Sequence, residues 1–377
     1  MRGGTELLDR LEREGKLRRE EYRMLIDGLC RREASAERED LFARARRQQR
    51  RYYGNRIYIR GLLEVSNVCR NDCFYCGIRR SNRKVSRYRM TGKQILDCCQ
   101  EGYRLGFRTF VIQGGEDPAM TDDMVEELVA SIRSEYPDCA ITLSLGEKEK
   151  ASFRRFFEAG ADRYLLRHET ASPSHYRKLH PPEMSWEHRI QCLEDLKEIG
   201  YQVGCGCMIG SPFQTTEHLA RDLELMERFQ PEMVGIGPFI SQQDTPFGKF
   251  PNGSLLQTLV MLGLIRLLLP RVLLPATTAL GTIDPRGREL GILAGANVVM
   301  PNISPPRNRK KYQLYDNKLG CGEESGEGLE LLKEQMRSIG YQVVTDRGDF
   351  GMGLTPITSQ AGAADQQPAG CAGGPKA

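Results

Sequence analysis

The stretch IYIRGLLEVSNVCRNDCFYCGIRR, residues 57–80, decides the fold and points to the chemistry. As far as Ser66 it is a short apolar run with the composition of a strand. From Asn67 it turns polar and carries Cys69, Cys73 and Cys76 in a C-x3-C-x2-C pattern, with Tyr75 directly before the last thiol. Three thiolates on one loop can hold three irons of a cubane 4Fe–4S cluster. The fourth iron then lacks a protein ligand and is open to a substrate, whereas electron-transfer clusters normally have four cysteines. Zinc is the competing ion, but it takes four ligands and favours paired C-x2-C knuckles. No second knuckle or histidine pair lies nearby in the chain. Structural thiols or a disulfide are the remaining alternative.

Upstream, residues 5–51 read as two or three charged amphipathic helices. Leu7, Leu8, Leu11, Tyr22, Leu25, Ile26 and Leu29 recur at helical spacing. They form a helical extension packed outside the main unit, and the Arg-rich run 44–51 reads as a solvated helix face. Downstream, the period changes. Strand candidates fall at 60–66, 109–113, 140–145, 163–167, 202–208, 233–238, 272–277 and 297–301, with helical segments between them. Eight alternating units imply an α/β architecture, a closed (β/α)8 TIM-type barrel with an N-terminal helical extension. Glycines at 106, 160, 200 and 295 stand where a helix must turn back toward the next strand. The expected division is a helical extension at 1–56, a barrel with a closing segment at 57–345, and a disordered Gly/Ala/Pro/Gln-rich tail at 346–377.

A chain of 377 residues, 40% hydrophobic, can bury a core of this size. Its net charge of +4 mixes both signs, so no nucleic-acid partner is expected. No apolar run is long enough to span a membrane. Twelve cysteines without a secretory leader suit a reducing cytoplasm.

In such a barrel the chemistry lies where strands end. QGGEDP (113–118), SLGE (144–147), RHET (167–170), MIGSP (208–212), GIGPF (235–239), ATTA (276–279) and MPN (300–302) then all reach the mouth. Arg163 and Arg167 stand four apart on one strand, so both can face one side. Buried guanidiniums are costly without anions, which argues for an anionic ligand in the barrel, with pairing to Asp162 or Glu169 as the alternative.

CRNDCFYCGIRRSN, RYRMT, QGGEDP, TLSLGE, AGADRYLLRHETA, MVGIGPFI, PATTALGTI, GANVVMPN and YQLY, in this order, resemble HydE, the radical SAM (S-adenosylmethionine) maturases of the FeFe-hydrogenase active site. The resemblance runs from about residue 57 to 341. Biotin synthase and methylornithine synthase resemble the same barrel. The resemblance implies an oxygen-sensitive cytoplasmic enzyme with one 4Fe–4S cluster on Cys69, Cys73 and Cys76. It implies that Glu169 and Arg189 bind the polar end of SAM, with Gln113, Ser144 and Tyr75 close by. It places Arg163, Arg167, Thr277, Thr278, Tyr312 and Tyr315 around the substrate. That substrate is a small organometallic iron–cysteine complex from a companion maturase, a radical SAM tyrosine lyase. A GTPase scaffold receives the product, and a ferredoxin or flavodoxin supplies electrons. A methylornithine-synthase-like mutase and a non-catalytic iron–sulfur carrier are the alternative functions.

Some relatives carry three further cysteines near the C-terminus. Here KLGCGEESGEGLELL has Cys321 alone, so no second cluster is expected. Cys205 and Cys207 read as buried thiols rather than paired ligands. His168, beside a strand-end glutamate, reads as a hydrogen-bonded structural histidine rather than a base.

Overall fold

The computed structural model describes residues 2–319 and 325–351. Three helices come first: α1 (Arg2–Glu14), α2 (Arg19–Leu29) and α3 (Ser35–Tyr53). The barrel wall begins with β1 (Arg56–Ile59) and β2 (Gly61–Ser66), one strand interrupted at Arg60. Then follow α4 (Gly92–Arg104), β3 (Thr109–Gly114), α5 (Asp122–Glu135), β4 (Ala140–Ser144), α6 (Lys150–Glu158) and β5 (Arg163–Leu165). Next come α7 (Pro173–Leu179), α8 (Trp186–Ile199), β6 (Gln202–Cys205), β7 (Met208–Ile209), α9 (Thr216–Phe229), β8 (Met233–Val234), β9 (Gly237–Pro238) and α10 (Leu255–Leu268). The chain continues through α11 (Thr278–Ile283), α12 (Gly287–Leu293), β10 (Val298–Val299), α13 (Pro306–Arg309), α14 (Ser325–Ser338) and β11 (Gln342–Val344).

Six strands pair in parallel in the order β2-β3-β4-β5-β6-β8, and β10 pairs with β1. Single bridges close the ring: Met233 with Leu273, Pro275 with Val298, and Leu62 with Asn302. The seventh expected strand, 272–277, is therefore present only as bridges. Pro275 has no N–H to give a ladder. The Asn297 side chain accepts from Leu274 N–H instead, at 2.9 Å. The buried Arg266 guanidinium binds the carbonyls of Gly295, Pro270 and Val272 at 2.8, 3.0 and 2.8 Å. Side chains thus satisfy backbone groups that strand pairing would otherwise take.

Helices α4, α5, α8 and α10 start at Thr91, Thr121, Ser185 and Ser254, whose hydroxyls accept the first free N–H groups. Gly106, Gly160, Gly200 and Gly295 all take positive φ after their helices, as their positions anticipated. The N-terminal helices pack on the barrel helices and join the same core through Leu8, Leu11, Tyr22, Leu25, Ile26, Leu29 and Leu41. Leu41 lies over Gly263 of α10, where a Cβ would come within 2.9 Å of it.

A short strand near the C-terminus closes the floor of the barrel. β11 pairs with β1, Arg56 opposite Gln342, and residues 346–350 continue across the floor of the barrel. Cys321 and the rest of the tail, 352–377, lie outside the described residues.

Candidate functional site

A cavity of about 340 Å³ opens at the C-terminal ends of the strands and is walled by the cysteine loop. That loop is fixed from within. The Arg87 guanidinium binds the carbonyls of Asn67, Ile78, Arg79 and Asn82 at 2.5–3.0 Å. Asp72 accepts from Arg79 Nε at 2.7 Å and from the Ser81 hydroxyl at 2.6 Å. Phe74 N–H binds Leu179 O at 3.0 Å, and Gly77 N–H binds Leu314 O at 2.8 Å.

Cys69, Cys73 and Cys76 are free thiols that line the cavity together. Burial pushes the Cys76 thiol up to about 12, and Cys69 beside it adds to the shift. Burial, then Cys76 and Cys69, raise Cys73 in the same direction. Three thiols that oppose one another's ionisation are a poor set for three free thiolates. They are a good set for a cationic iron cluster that compensates all three charges.

Across the cavity, several buried polar atoms have no hydrogen-bond partner: Arg167 Nε and Nη2, Glu169 Oε2, Thr277 Oγ1 and Glu64 Oε2. Arg167 Nη2 stands 3.3 Å from Glu169 Oε2, within ion-pair range but not in hydrogen-bond geometry. Unpaired buried groups of this kind cost about 1–3 kcal/mol each. Their concentration around one cavity fits a ligand carrying both a cationic and an anionic end. Glu169 also has φ of 64°, a strained conformation for a non-glycine residue. Its N–H is held by Gly206 O at 3.0 Å.

Arg189 reaches the cavity from α8. Its Nε binds the Glu147 carboxylate, and its Nη1 donates to Arg167 O at 2.8 Å. Gln113 donates to the Tyr312 hydroxyl at 3.5 Å. Ser144, Thr277, Thr278 and Tyr315 line the same space. Tyr75 lies beside the cluster loop with its hydroxyl 3.1 Å from His180 Nε2. His180 stacks on Tyr176 at 3.9 Å, and burial followed by the Arg189 charge pushes its pKa down to about 3.

Arg163 is not among these residues, which corrects the expectation that it binds substrate. It starts β5, so its side chain lies at the floor and Arg167 at the mouth. There it binds Asp349 at 2.5 Å, Arg347 O at 2.9 Å and Thr109 Oγ1 at 3.1 Å. A four-residue separation along a strand is about 13 Å, enough to divide two residues on one face between opposite ends.

Two charged residues of the cavity, Glu64 and Lys318, are not among the site residues expected from the sequence. Glu64 is fully buried on β2 and pairs with Lys318, whose Nζ also binds Tyr312 O at 3.0 Å. A glutamate inside the apolar run LLEVS was the available signal. Glu147, the partner of Arg189, lies in a neighbouring cleft rather than in the cavity and was marked only by its strand-end position in SLGE.

His168, Cys207 and Asp222 form a buried cluster outside the cavity. His168 Nδ1 accepts Gly206 N–H at 3.2 Å, so the ring proton sits on Nε2, which faces Asp222 Oδ1 at 3.3 Å. Neither nitrogen has a lone pair to give a metal, and the histidine is structural. Cys205 lies instead in an outer groove between α8 and α9, among Leu193, Leu225 and Phe229.

The Radical SAM superfamily pattern matches residues 63–226. The [FeFe] hydrogenase maturase subunit HydE of Thermotoga maritima is 42% identical over 345 residues, covering 92% of this chain and 97% of that protein. A 3-methylornithine synthase of Methanosarcina acetivorans is 28% identical over 82% of this chain and 87% of its own. Among solved structures, methylornithine synthase (PylB) superposes with a TM-score of 0.78 at 26% identity, over 90% of this chain and 97% of that one. The maturase HydG shares the fold, with a TM-score of 0.75 at 20% identity over 91% of this chain and 76% of that one. With a fold of this kind, three thiols at its mouth and identity at this level over nearly its whole length, the chain belongs to the HydE family of radical SAM enzymes.

Proposed function

We propose that the enzyme acts in maturation of the FeFe-hydrogenase active site. Its radical chemistry is directed at the sulfur of an iron-bound cysteine complex. The observation that carries this reading is the meeting of three free thiols and a set of unpaired buried polar groups around one cavity.

Cys69, Cys73 and Cys76 would hold the 4Fe–4S cluster. Bound there, the cluster would supply the single electron for reductive cleavage of SAM. Glu169 would take the ammonium of the methionine moiety, and Arg189, oriented by Glu147, its carboxylate. Gln113 and Ser144 would supply neutral hydrogen bonds, and Tyr75, braced by His180, a face for the adenine. At the substrate end of the same cavity, Arg167, Thr277 and Thr278 would hold the carboxylate of the substrate cysteine, with Tyr312 and Tyr315 closing that end. The barrel wall would keep water from the path between SAM and substrate.

A companion radical SAM tyrosine lyase provides the substrate, and a GTPase scaffold takes the product. The enzyme works in the cytoplasm with a single cluster, and a helical extension up to residue 56 precedes the barrel. Among the described residues no helix is long and apolar enough to cross a membrane.

An amino-acid mutase is the second reading, supported by the likeness to methylornithine synthase. Anaerobic assays of 5′-deoxyadenosine formation separate the two. Strong stimulation by the synthetic iron–cysteine complex supports maturation. Stimulation by lysine and not by the complex would replace it with the mutase.

A further inference from the structure

Two segments beside the cysteine loop carry charge out of proportion to the chain. Residues 68–90 hold seven basic residues and one acidic, and residues 304–319 hold five and one. Together they contribute ten net positive charges to a protein whose total is +4. Though more than 200 residues apart in sequence, they adjoin in space. Asn67 Nδ2 donates to both Ser86 O and Lys311 O, at 3.0 and 2.8 Å. Gly77 N–H binds Leu314 O, and a Cβ at Gly77 would stand 2.1 Å from Gln313 O. The seam between the segments is therefore close-packed, and the surface it presents is preformed.

Some of these cations are engaged elsewhere: Arg79 by Asp72, Arg87 by four carbonyls, Lys318 by Glu64, and Arg70 and Arg89 by Glu116 and Asp117 on the far side of the loop. Arg80, Arg83, Lys84, Arg307, Lys310 and Lys311 are exposed. Arg80 and Lys84 make ion pairs with Glu183 and Asp244, and because exposed pairs are worth little, a partner's carboxylates can replace them at small cost. Arg83, Arg307, Lys310 and Lys311 enter no ion pair among the described residues. A single charge run is ordinarily a solvated face. Here two distant runs converge on one rim, and Arg80 follows Cys76 by only four residues. The other flank of the mouth has a predominance of the opposite sign, with a cleft where Glu116, Asp117, Asp122, Glu147 and Glu149 outnumber Arg70 and Lys148. A charged partner would be oriented by this contrast as well as attracted.

We propose that the basic rim formed by Arg80, Arg83, Arg307, Lys310 and Lys311 is the docking surface for an acidic one-electron carrier protein. The inference rests on the radical SAM reading, which requires an electron to enter the cluster. On docking, one electron leaves the reduced flavin or iron–sulfur centre of the carrier and enters the cluster, leaving the carrier oxidised by one electron. Opposite charge on the two faces raises the encounter rate and makes it sensitive to salt.

The test uses the full-length reconstituted enzyme, an acidic flavodoxin, and the variant Arg83→Glu/Lys310→Glu/Lys311→Glu. Cluster absorbance and thermal melting check that the variant is folded and loaded. The glutamine version of the same triple variant removes the charge without reversing it. Flavodoxin binding is measured by interferometry, and SAM cleavage is driven either by reduced flavodoxin or by dithionite. Binding and flavodoxin-driven cleavage are expected to fall about tenfold or more in the glutamate variant, and by less in the glutamine variant. Dithionite-driven cleavage should keep the parent rate, and added salt should weaken flavodoxin binding by the parent more than by the variant. Parent-like binding of flavodoxin by the glutamate variant, with parent-like flavodoxin-driven cleavage, would overturn the proposal. A parent that cleaves no SAM with dithionite would overturn the radical SAM reading instead, and the binding arm would still decide the surface.

Discussion

Removing the Asp349 carboxylate should weaken the barrel from its floor, far from the chemistry. Asp349 stands 2.5 Å from Arg163, whose side chain is fully buried. A second buried guanidinium, Arg60, lies in the same field with Nε and Nη2 unpaired, and Arg163 raises its electrostatic cost. Asp349→Ala therefore leaves two buried cations without their shared counter-charge. Breaking a buried pair from one side costs about 3–5 kcal/mol. With an unfolding entropy of about 2.1 cal/mol/K per residue over some 350 residues, a loss of about 4 kcal/mol lowers Tm by about 5 °C. The assay is anaerobic calorimetry of the reconstituted enzyme at one fixed scan rate. Arg163→Met/Asp349→Leu should recover most of the loss, because apolar replacement of a whole buried pair is near neutral. Tm within about 1 °C of the parent for Asp349→Ala would refute the reasoning. So would an Arg163→Met variant that keeps its Tm but loses affinity for the iron–cysteine complex, which would return Arg163 to the substrate.

Glu147→Gln removes the charge that orients Arg189 and should raise KM for SAM about tenfold with a smaller change in kcat, measured by 5′-deoxyadenosine release; an unchanged KM contradicts that positioning role. His180 is held neutral to about pH 3, well below an unfolded histidine near 6.5, so the unfolded chain binds one more proton across that window. Stability should therefore fall as pH drops from about 6.5 toward 3, and His180→Gln should flatten that slope by up to about 1.4 kcal/mol per pH unit in denaturant titrations; equal slopes would exclude it. Gly77→Ala must displace the 313–314 backbone, so it should reduce iron content after reconstitution, measured by iron and sulfide analysis; full loading would show that the seam yields easily.

The barrel was legible because short apolar runs alternate with helical segments at a regular interval, and the cysteine loop because the thiol spacing is itself the chemistry. What the sequence concealed has physical causes. The seventh strand failed to form a ladder because Pro275, Asn297 and Arg266 replace strand pairing with side-chain bonds, and periodicity records none of these. Arg163 was misplaced because alternation reports the face of a strand but not the end of the barrel, and its partner Asp349 lies 186 residues further on. Asp349 in turn sits in a stretch that reads as the beginning of a polar tail. Glu64 and Lys318 are joined across 254 residues, a distance no local pattern can bridge. The rim of Arg83, Arg307, Lys310 and Lys311 was hidden by the modest total charge, which averages a concentrated patch with acidic surface elsewhere.

Electron paramagnetic resonance of the anaerobically reconstituted, reduced enzyme, with and without SAM labelled with 15N at its amino group, reaches the heart of the matter. A cluster held by Cys69, Cys73 and Cys76 with one open iron should give a reduced-cluster signal that shifts when SAM is added and shows coupling to the labelled nitrogen. Cys73→Ala should lose both the signal and the coupling, and Glu169→Gln should retain the signal but need more SAM to shift it. A spectrum indifferent to SAM, or a Cys69→Ala/Cys73→Ala/Cys76→Ala variant that still carries the reduced-cluster signal, would contradict the assignment of radical SAM chemistry to this cavity.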